Sequence, residues 1–131
     1  MDSKKLAQLC RDLAENRKAE NVVVLDVRKL SSITDFFVIA TGGSEPHLRA
    51  IESEIMDGLH EAHGIKPQIT EGTAKTNWIV ADFFDVIIHL MKPDVRERYD
   101  LEGLWSDAPR VAKPKARKKA EKAEKTEAAA A

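Results

Sequence analysis

Apolar positions along this chain switch between helical and strand spacing, and the switches mark out the elements. Leu6, Leu9 and Leu13 fall on one face at helical spacing, which predicts a helix over residues 3–17 capped by Ser3 or Asp2. A β-branched run over residues 21–27 then predicts a strand, and Leu30 to Thr34 reads as a polar-flecked connection. Residues 35–41 are apolar on both faces, the pattern of a strand in the centre of a sheet. Thr41-Gly42-Gly43-Ser44 ends that strand sharply. Ser44 is placed to cap a long helix whose stripe is Leu48, Ile51, Ile55 and Leu59 and whose stop is Gly64. Residues 65–76 are polar and hold at most one short strand, around Ile65–Ile69. Two strands over 77–82 and 85–91 read as a hairpin about Phe83-Phe84, and residues 95–105 read as a short closing helix. This alternation predicts an α/β (α+β) fold, a sheet flanked by helices in three-layer fashion. From Ala112 onward only Ala, Lys, Glu, Arg, one Pro and one Thr remain, with no apolar stripe to dock. The chain therefore divides into a domain over 1–111 and a tail over 112–131 expected to be disordered.

The hairpin is the most informative segment. A two-residue Phe83-Phe84 turn sets Asp82 against Asp85, Val80 against Ile87 and Trp78 against His89. One face then carries Ile79, Ala81, Val86, Ile88 and Leu90, a plain core set. The other carries Trp78, Val80, Asp82, Asp85, Ile87, His89 and Met91, mixing aromatic, apolar and acidic groups. Two readings stand: a contact patch, in which aromatics and Met are enriched, or a face that a helix covers while the acids sit at its rim. A one-residue shift of the turn is expected to swap the faces.

Charge changes the picture more than composition does. The net charge of −1 hides an asymmetry. Residues 112–131 hold seven Lys/Arg and three Glu, a net of +4; of the chain's 21 basic and 22 acidic residues, 14 and 19 remain in 1–111, a net of −5. An acidic body favours a basic protein partner and repels naked nucleic acid, so DNA is not an expected partner, although solubility alone would also explain a modest negative charge. The tail motif Lys113-Pro-Lys-Ala-Arg-Lys-Lys119 could touch RNA phosphates non-specifically or simply be solvated. Apolar stretches are strand-sized, so no membrane association is expected. The N-terminus has no apolar signal region, and the single Cys10 allows neither an intramolecular disulfide nor a cysteine-built metal site; together these suggest the cytoplasm.

Candidate chemistry is sparse. The Thr41–Ser44 junction is where a phosphate could meet free helix N–H groups, which gives the alternative of a nucleotide-binding or nucleotidyltransferase-like enzyme. That chemistry needs two close carboxylates for Mg²⁺, and no D-x-D or D-x-E follows; Asp82 and Asp85 flank a turn. His60 and His63 share a helix end without an evident third ligand, and no nucleophile elbow is present. No metal site, no cofactor and no catalytic residue are expected.

Taken together, several spaced motifs resemble the Iojap-like ribosomal silencing factors. They are residues 32–42 (SITDFFVIATG), Ser44 with His47 and Ala50-Ile51, Glu71-Gly72 before Trp78, residues 82–90 (DFFDVIIHL), and residues 98–108 (RYDLEGLWSDA). The resemblance runs from about Leu6 to Ala108 and leaves the tail outside. It implies a mixed sheet related to the nucleotidyltransferase fold but without catalytic carboxylates. It also implies a non-enzymatic role: docking on the large ribosomal subunit through its fourteenth protein, at the subunit interface, so that the small subunit is kept off and translation is repressed. Phe84 stands where the family's turn has a glycine. Hairpin geometry and the resemblance together nominate Trp78, Asp82, Asp85, His89, Met91 and Tyr99 for partner binding. Trp78 would be the anchor, Asp82 a pair for Lys or Arg, His89 and Tyr99 hydrogen-bonding groups and Met91 adaptable packing. Whether the free protein forms a homodimer stays open.

Overall fold

The structure, a computed structural model, describes residues 2–112; from Lys113 on, the tail expected to be disordered lies outside the described residues. Helix α1 (Ser3–Asn16) starts at Asp2, whose carboxylate accepts the Lys5 N–H at 2.8 Å. Ser3 instead donates to Asp35. The buried stripe of α1 is Leu6, Ala7, Cys10, Arg11 and Ala14, while Leu9 and Leu13 flank it. Helix α2 (Glu45–His63) has the predicted stripe, the predicted Ser44 cap and Gly64 in the left-handed region at φ 66°. The two helices approach closely at Gly58, where a Cβ would lie 2.6 Å from a Leu13 methyl.

Five strands form one mixed sheet in the order β1-β2-β5-β4-β3: β1 (Glu20–Asp26), β2 (Phe36–Thr41), β3 (Ile69–Thr73), β4 (Trp78–Asp82) and β5 (Val86–Met91). β2 and β5 run parallel at the centre, and the other pairs are antiparallel. β3 lies four residues later than the expected Ile65–Ile69. Its register is set by pairing with β4, where Gly72 (φ 75°) sits so close to the Trp78 carbonyl that a Cβ would be 2.1 Å from its oxygen. Pairing with the strand that follows decided this placement, which the polarity of residues 65–76 could not.

The hairpin differs from the expected register. Trp78 faces Met91, Val80 faces His89 and Asp82 faces Ile87, so Asp82 does not oppose Asp85 and Trp78 does not oppose His89. The closing bond runs from Phe83 N–H to the Val86 carbonyl, making Phe84 and Asp85 the turn. The turn has moved by one residue, yet the faces have not swapped. Moving a two-residue turn by one changes each pairing by two, and side-chain direction repeats every two residues. Within the turn the Asp85 N–H donates to the Phe83 carbonyl around Phe84, whose φ is 78°, the rare and strained form of γ-turn.

The single closing helix expected over 95–105 is two: α3 (Pro93–Tyr99) and α4 (Leu101–Leu104). They break at Asp100, which adopts φ 43° and caps α4 through the Gly103 N–H at 3.0 Å. Residues 108–112 then run along the β1 edge: Pro109 accepts from Asp26, Val111 donates to Val24 and its carbonyl takes a bond from the buried Arg11 guanidinium. Two cores result. Helices α1 and α2 pack on one face over Val24, Phe36, Val38, Ala40, Ile79, Ala81, Val86, Ile88 and Leu90. The short α3–α4 segment packs on the other over Leu25, Ile39 and Met91, using Val95, Leu101, Trp105 and Ala108. The face predicted as plain core is therefore the core under the long helices.

Candidate functional site

Strands β4 and β5 carry every second side chain to the sheet face opposite α1 and α2, and α3–α4 is too short to cover all of it. What remains open is a groove of about 330 Å³. Phe37, Val80, Ile87 and His89 form its floor, Leu101 and Trp105 its wall on the α4 side, and Ile69, Glu71 and Asp82 its opposite rim. Ile69 is 53% exposed on the edge strand β3, all of whose residues are exposed. The floor and wall are largely apolar, and the described ionisable groups lining the groove are two carboxylates and His89.

Aromatic rings run in sequence across this face. Tyr99 of α3 lies 4.8 Å from Trp78, Trp78 lies 6.0 Å from His89, His89 lies 5.5 Å from Phe37, and Phe37 lies 5.1 Å from Trp105, all as ring centroids. Tilted and edge contacts of this kind are favoured geometries for aromatic pairs. The Trp78 indole N–H donates to His89 Nδ1 at 3.2 Å. An indole only donates, so Nδ1 is the acceptor and the neutral ring carries its proton on Nε2. Burial lowers the His89 pKa from 6.5 to about 4, which keeps the ring in that state near neutrality.

The six nominated residues are only partly brought together. Trp78, His89 and Tyr99 form the aromatic run, with Tyr99 52% exposed. Asp82 is on the groove rim, where one carboxylate oxygen also accepts the Phe84 N–H at 2.8 Å. Asp85 is exposed in the turn rather than on the strand face, and its carbonyl accepts from the Asp35 and Phe36 N–H groups. Met91 is 0% exposed and packs in the second core, so the adaptable contact expected of it has no surface from which to be made. The mixed face is divided: a helical segment covers Met91, and the β4–β3 half stays open.

Sequence reasoning missed Phe37, Ile69, Glu71, Leu101 and Trp105. Phe37 was invisible because β2 is apolar on both faces, and the neighbour that β5 meets in parallel cannot be read locally. Ile69 and Glu71 followed the misplaced β3. Trp105 carried a usable signal, a large aromatic closing a segment in which Val95, Leu101 and Leu104 are interleaved with charged residues.

The Thr41–Ser44 junction offers little to a phosphate. The Gly43 N–H donates to His47 Nδ1 at 2.9 Å and the His47 N–H to Ser44 Oγ at 3.2 Å. Pro46 has no N–H, and Glu45 puts a carboxylate in the first turn. Among the described residues no group of three His, Cys, Asp or Glu could hold a metal ion, and no helix is long and apolar enough to cross a membrane. Burial pushes the Cys10 thiol up to about 12, which removes it as a nucleophile.

Comparison with known proteins shows the family to which the chain belongs. Residues 1–131 match the family model described as "Ribosomal silencing factor during starvation", a span wider than the Leu6–Ala108 that the motifs covered. A ribosomal silencing factor of Halalkalibacterium halodurans is 39% identical over 111 residues, 85% of this chain and 94% of that protein. Its counterpart in Bacillus subtilis is 34% identical over 109 residues, 83% of this chain and 92% of that one. The crystal structure of a Chromobacterium violaceum protein matches with a TM-score of 0.77 at 30% identity, over 90% of this chain and 100% of that chain. Sequence and fold agree over nearly the whole length, and the chain belongs to the Iojap-like ribosomal silencing factor family of translation regulators.

Proposed function

We propose that this protein docks on the large ribosomal subunit through its fourteenth protein, and that its bulk there keeps the small subunit from joining. The observation that carries the reading is the half-covered sheet face: an apolar groove rimmed by Glu71 and Asp82, with a Trp held in place beside it. A surface built this way fits a basic protein. Apolar floor and aromatic wall supply desolvated contact, while the carboxylates select Lys or Arg and set register. Trp78 and Tyr99 present rings at one end, and His89 can offer its Nε2–H to an acceptor. Met91 supports the face from beneath, and Asp85 adds charge at the turn.

The action requires no bond to be made or broken. A stable complex needs an interface of roughly 1,600 Å², and a bound body at the subunit interface then excludes a far larger partner by volume. Repression follows from occupancy, so the level of the protein and its affinity set the extent of silencing.

Sedimentation of lysate through a sucrose gradient tests the reading, with the protein expected among free large subunits and absent from joined ribosomes. Trp78→Ala is expected to weaken that association by on the order of 2 kcal/mol, and Asp82→Lys to abolish it through repulsion. Trp78 is half-buried, so its loss also destabilises the domain, and Asp82→Lys read beside a melting curve is the cleaner probe. Unchanged co-sedimentation of a folded Asp82→Lys protein would exclude this face.

A further inference from the structure

We propose that Phe84, with Ile33 at the same end of the sheet, is a second contact of this docking surface: a ring held out of the fold to enter an apolar recess on the same basic large-subunit protein. The inference rests on the groove reading above and extends it around the hairpin turn.

The backbone at Phe84 is the first observation. It sits at φ 78° in a strained γ-turn, a conformation that glycine adopts freely and an aromatic residue does not. The Asp82 carboxylate fixes it there by accepting its N–H. The side chain is the second observation. Phe83 is buried in the main core, whereas Phe84 is 61% exposed and belongs to neither core. Most of the ring's surface is thus in solvent, and it contributes to neither core in return for the strain of holding it. Backbone strain that the fold does not reward points to function.

The third observation is a neighbour. The Asp85 carbonyl accepts from the Asp35 and Phe36 N–H groups, which brings the β1–β2 connection beside the turn. Ile33 on that connection is 75% exposed, with its backbone held by a bond to Ser31 Oγ at 3.1 Å. Two large apolar side chains therefore stand in solvent at one end of the sheet. The turn that carries Phe84 adjoins the groove, because Asp82 both rims the groove and caps the turn. Charge selects the occupant: Asp82 and Asp85 flank the ring, so phosphate backbone is repelled and Lys or Arg side chains are attracted.

The test measures binding of the full chain to purified large subunits and to the isolated fourteenth protein, alongside melting curves. The variants are Phe84→Gly, Phe84→Asn, Trp78→Ala and Asp82→Lys. Glycine relieves the backbone, and asparagine tolerates it while removing the ring. Both are expected to melt at or above the wild-type temperature and to bind both probes about tenfold more weakly. Opposite signs in stability and binding are what a purely structural residue would not give. Wild-type binding by the Phe84 variants, with loss in Asp82→Lys, overturns the second contact and leaves the groove reading standing. Wild-type binding by Asp82→Lys as well overturns both. Loss on large subunits with full affinity for the isolated protein would place the ring on ribosomal RNA and overturn the proposed occupant, and a sharp drop in melting temperature for Phe84→Gly would make the ring structural.

Discussion

His89 holds the Trp78 indole only while it is neutral, because Nδ1 must keep a lone pair to accept the 3.2 Å bond. Its pKa of about 4 in the folded protein lies below the ordinary 6.5, through burial. In the interval between those values the unfolded chain binds a proton that the folded chain refuses, so stability rises with pH there. The His89 contribution is complete above 6.5 and is lost progressively as pH falls from about 6.5 to about 4. We expect the wild-type protein to lose stability across that interval more steeply than His89→Gln, whose amide oxygen accepts from Trp78 without titrating. Urea melts at several pH values measure this; parallel curves for the two proteins would remove His89 from the account. Phe84 is the other residue at which local chemistry and fold disagree, with a backbone strain of roughly 1–3 kcal/mol that its exposed ring does not recover.

At the scale of elements, the α3–α4 segment decides how much of the sheet is open. Two short helices have little cohesion of their own, and Arg96 fastens them. Its guanidinium bonds Thr41 at the end of β2 at 2.7 Å and Glu102 of α4 at 2.9 Å, with only 10% of the side chain exposed. The Arg96 bond holds the Glu102 carboxyl below its usual range, and Arg110 adds a longer contact at 3.4 Å. Breaking a largely buried pair from one side strands the other charge. Arg96→Met is therefore expected to cost about 2 kcal/mol and to loosen Leu101 and Trp105, the groove's α4 wall. Adding Glu102→Leu is expected to recover part of that loss. Denaturant melts of the two single variants and the double variant form the cycle, and strict additivity would show that the two side chains act independently.

At the scale of the whole molecule, the charge division of the chain matters. The 1–111 portion is acidic and residues 112–131 are basic, so the two parts attract groups of opposite charge. The described fold extends through Ala112, whose carbonyl accepts the Gln8 amide, while Val111 pairs with Val24 and holds Arg11. A chain cut after Ala112 is expected to melt close to the full chain, because the removed composition offers no apolar face to bury. It is expected to bind large subunits slightly more weakly, with the difference growing at low salt. A chain cut after Asp107 should lose several degrees, since it strips the β1 edge and leaves the Arg11 guanidinium buried without the Val111 carbonyl. Melting and binding measured across a salt series separate the two; equal melting of both truncations would deny the C-terminal edge its structural role.

Elements whose signal is local were legible in the amino-acid sequence. The stripe and caps of α2, the central apolar β2 and the two faces of the hairpin follow from short periods and from capping chemistry that act within a few residues. The open face of the candidate site was legible for the same reason, since alternation along β4 and β5 put Trp78, Asp82 and His89 on one side whatever the exact turn. Tertiary structure alone decided the rest. Position along β3 came from its pairing with β4, and the turn residues from where that hairpin closes. Met91 is buried because α3 lands on it, and the groove exists because α4 stops short of β3 and β4. Those outcomes depend on how whole elements pair and pack, some of them neighbours in the chain and some far apart, which the spacing within one element does not encode.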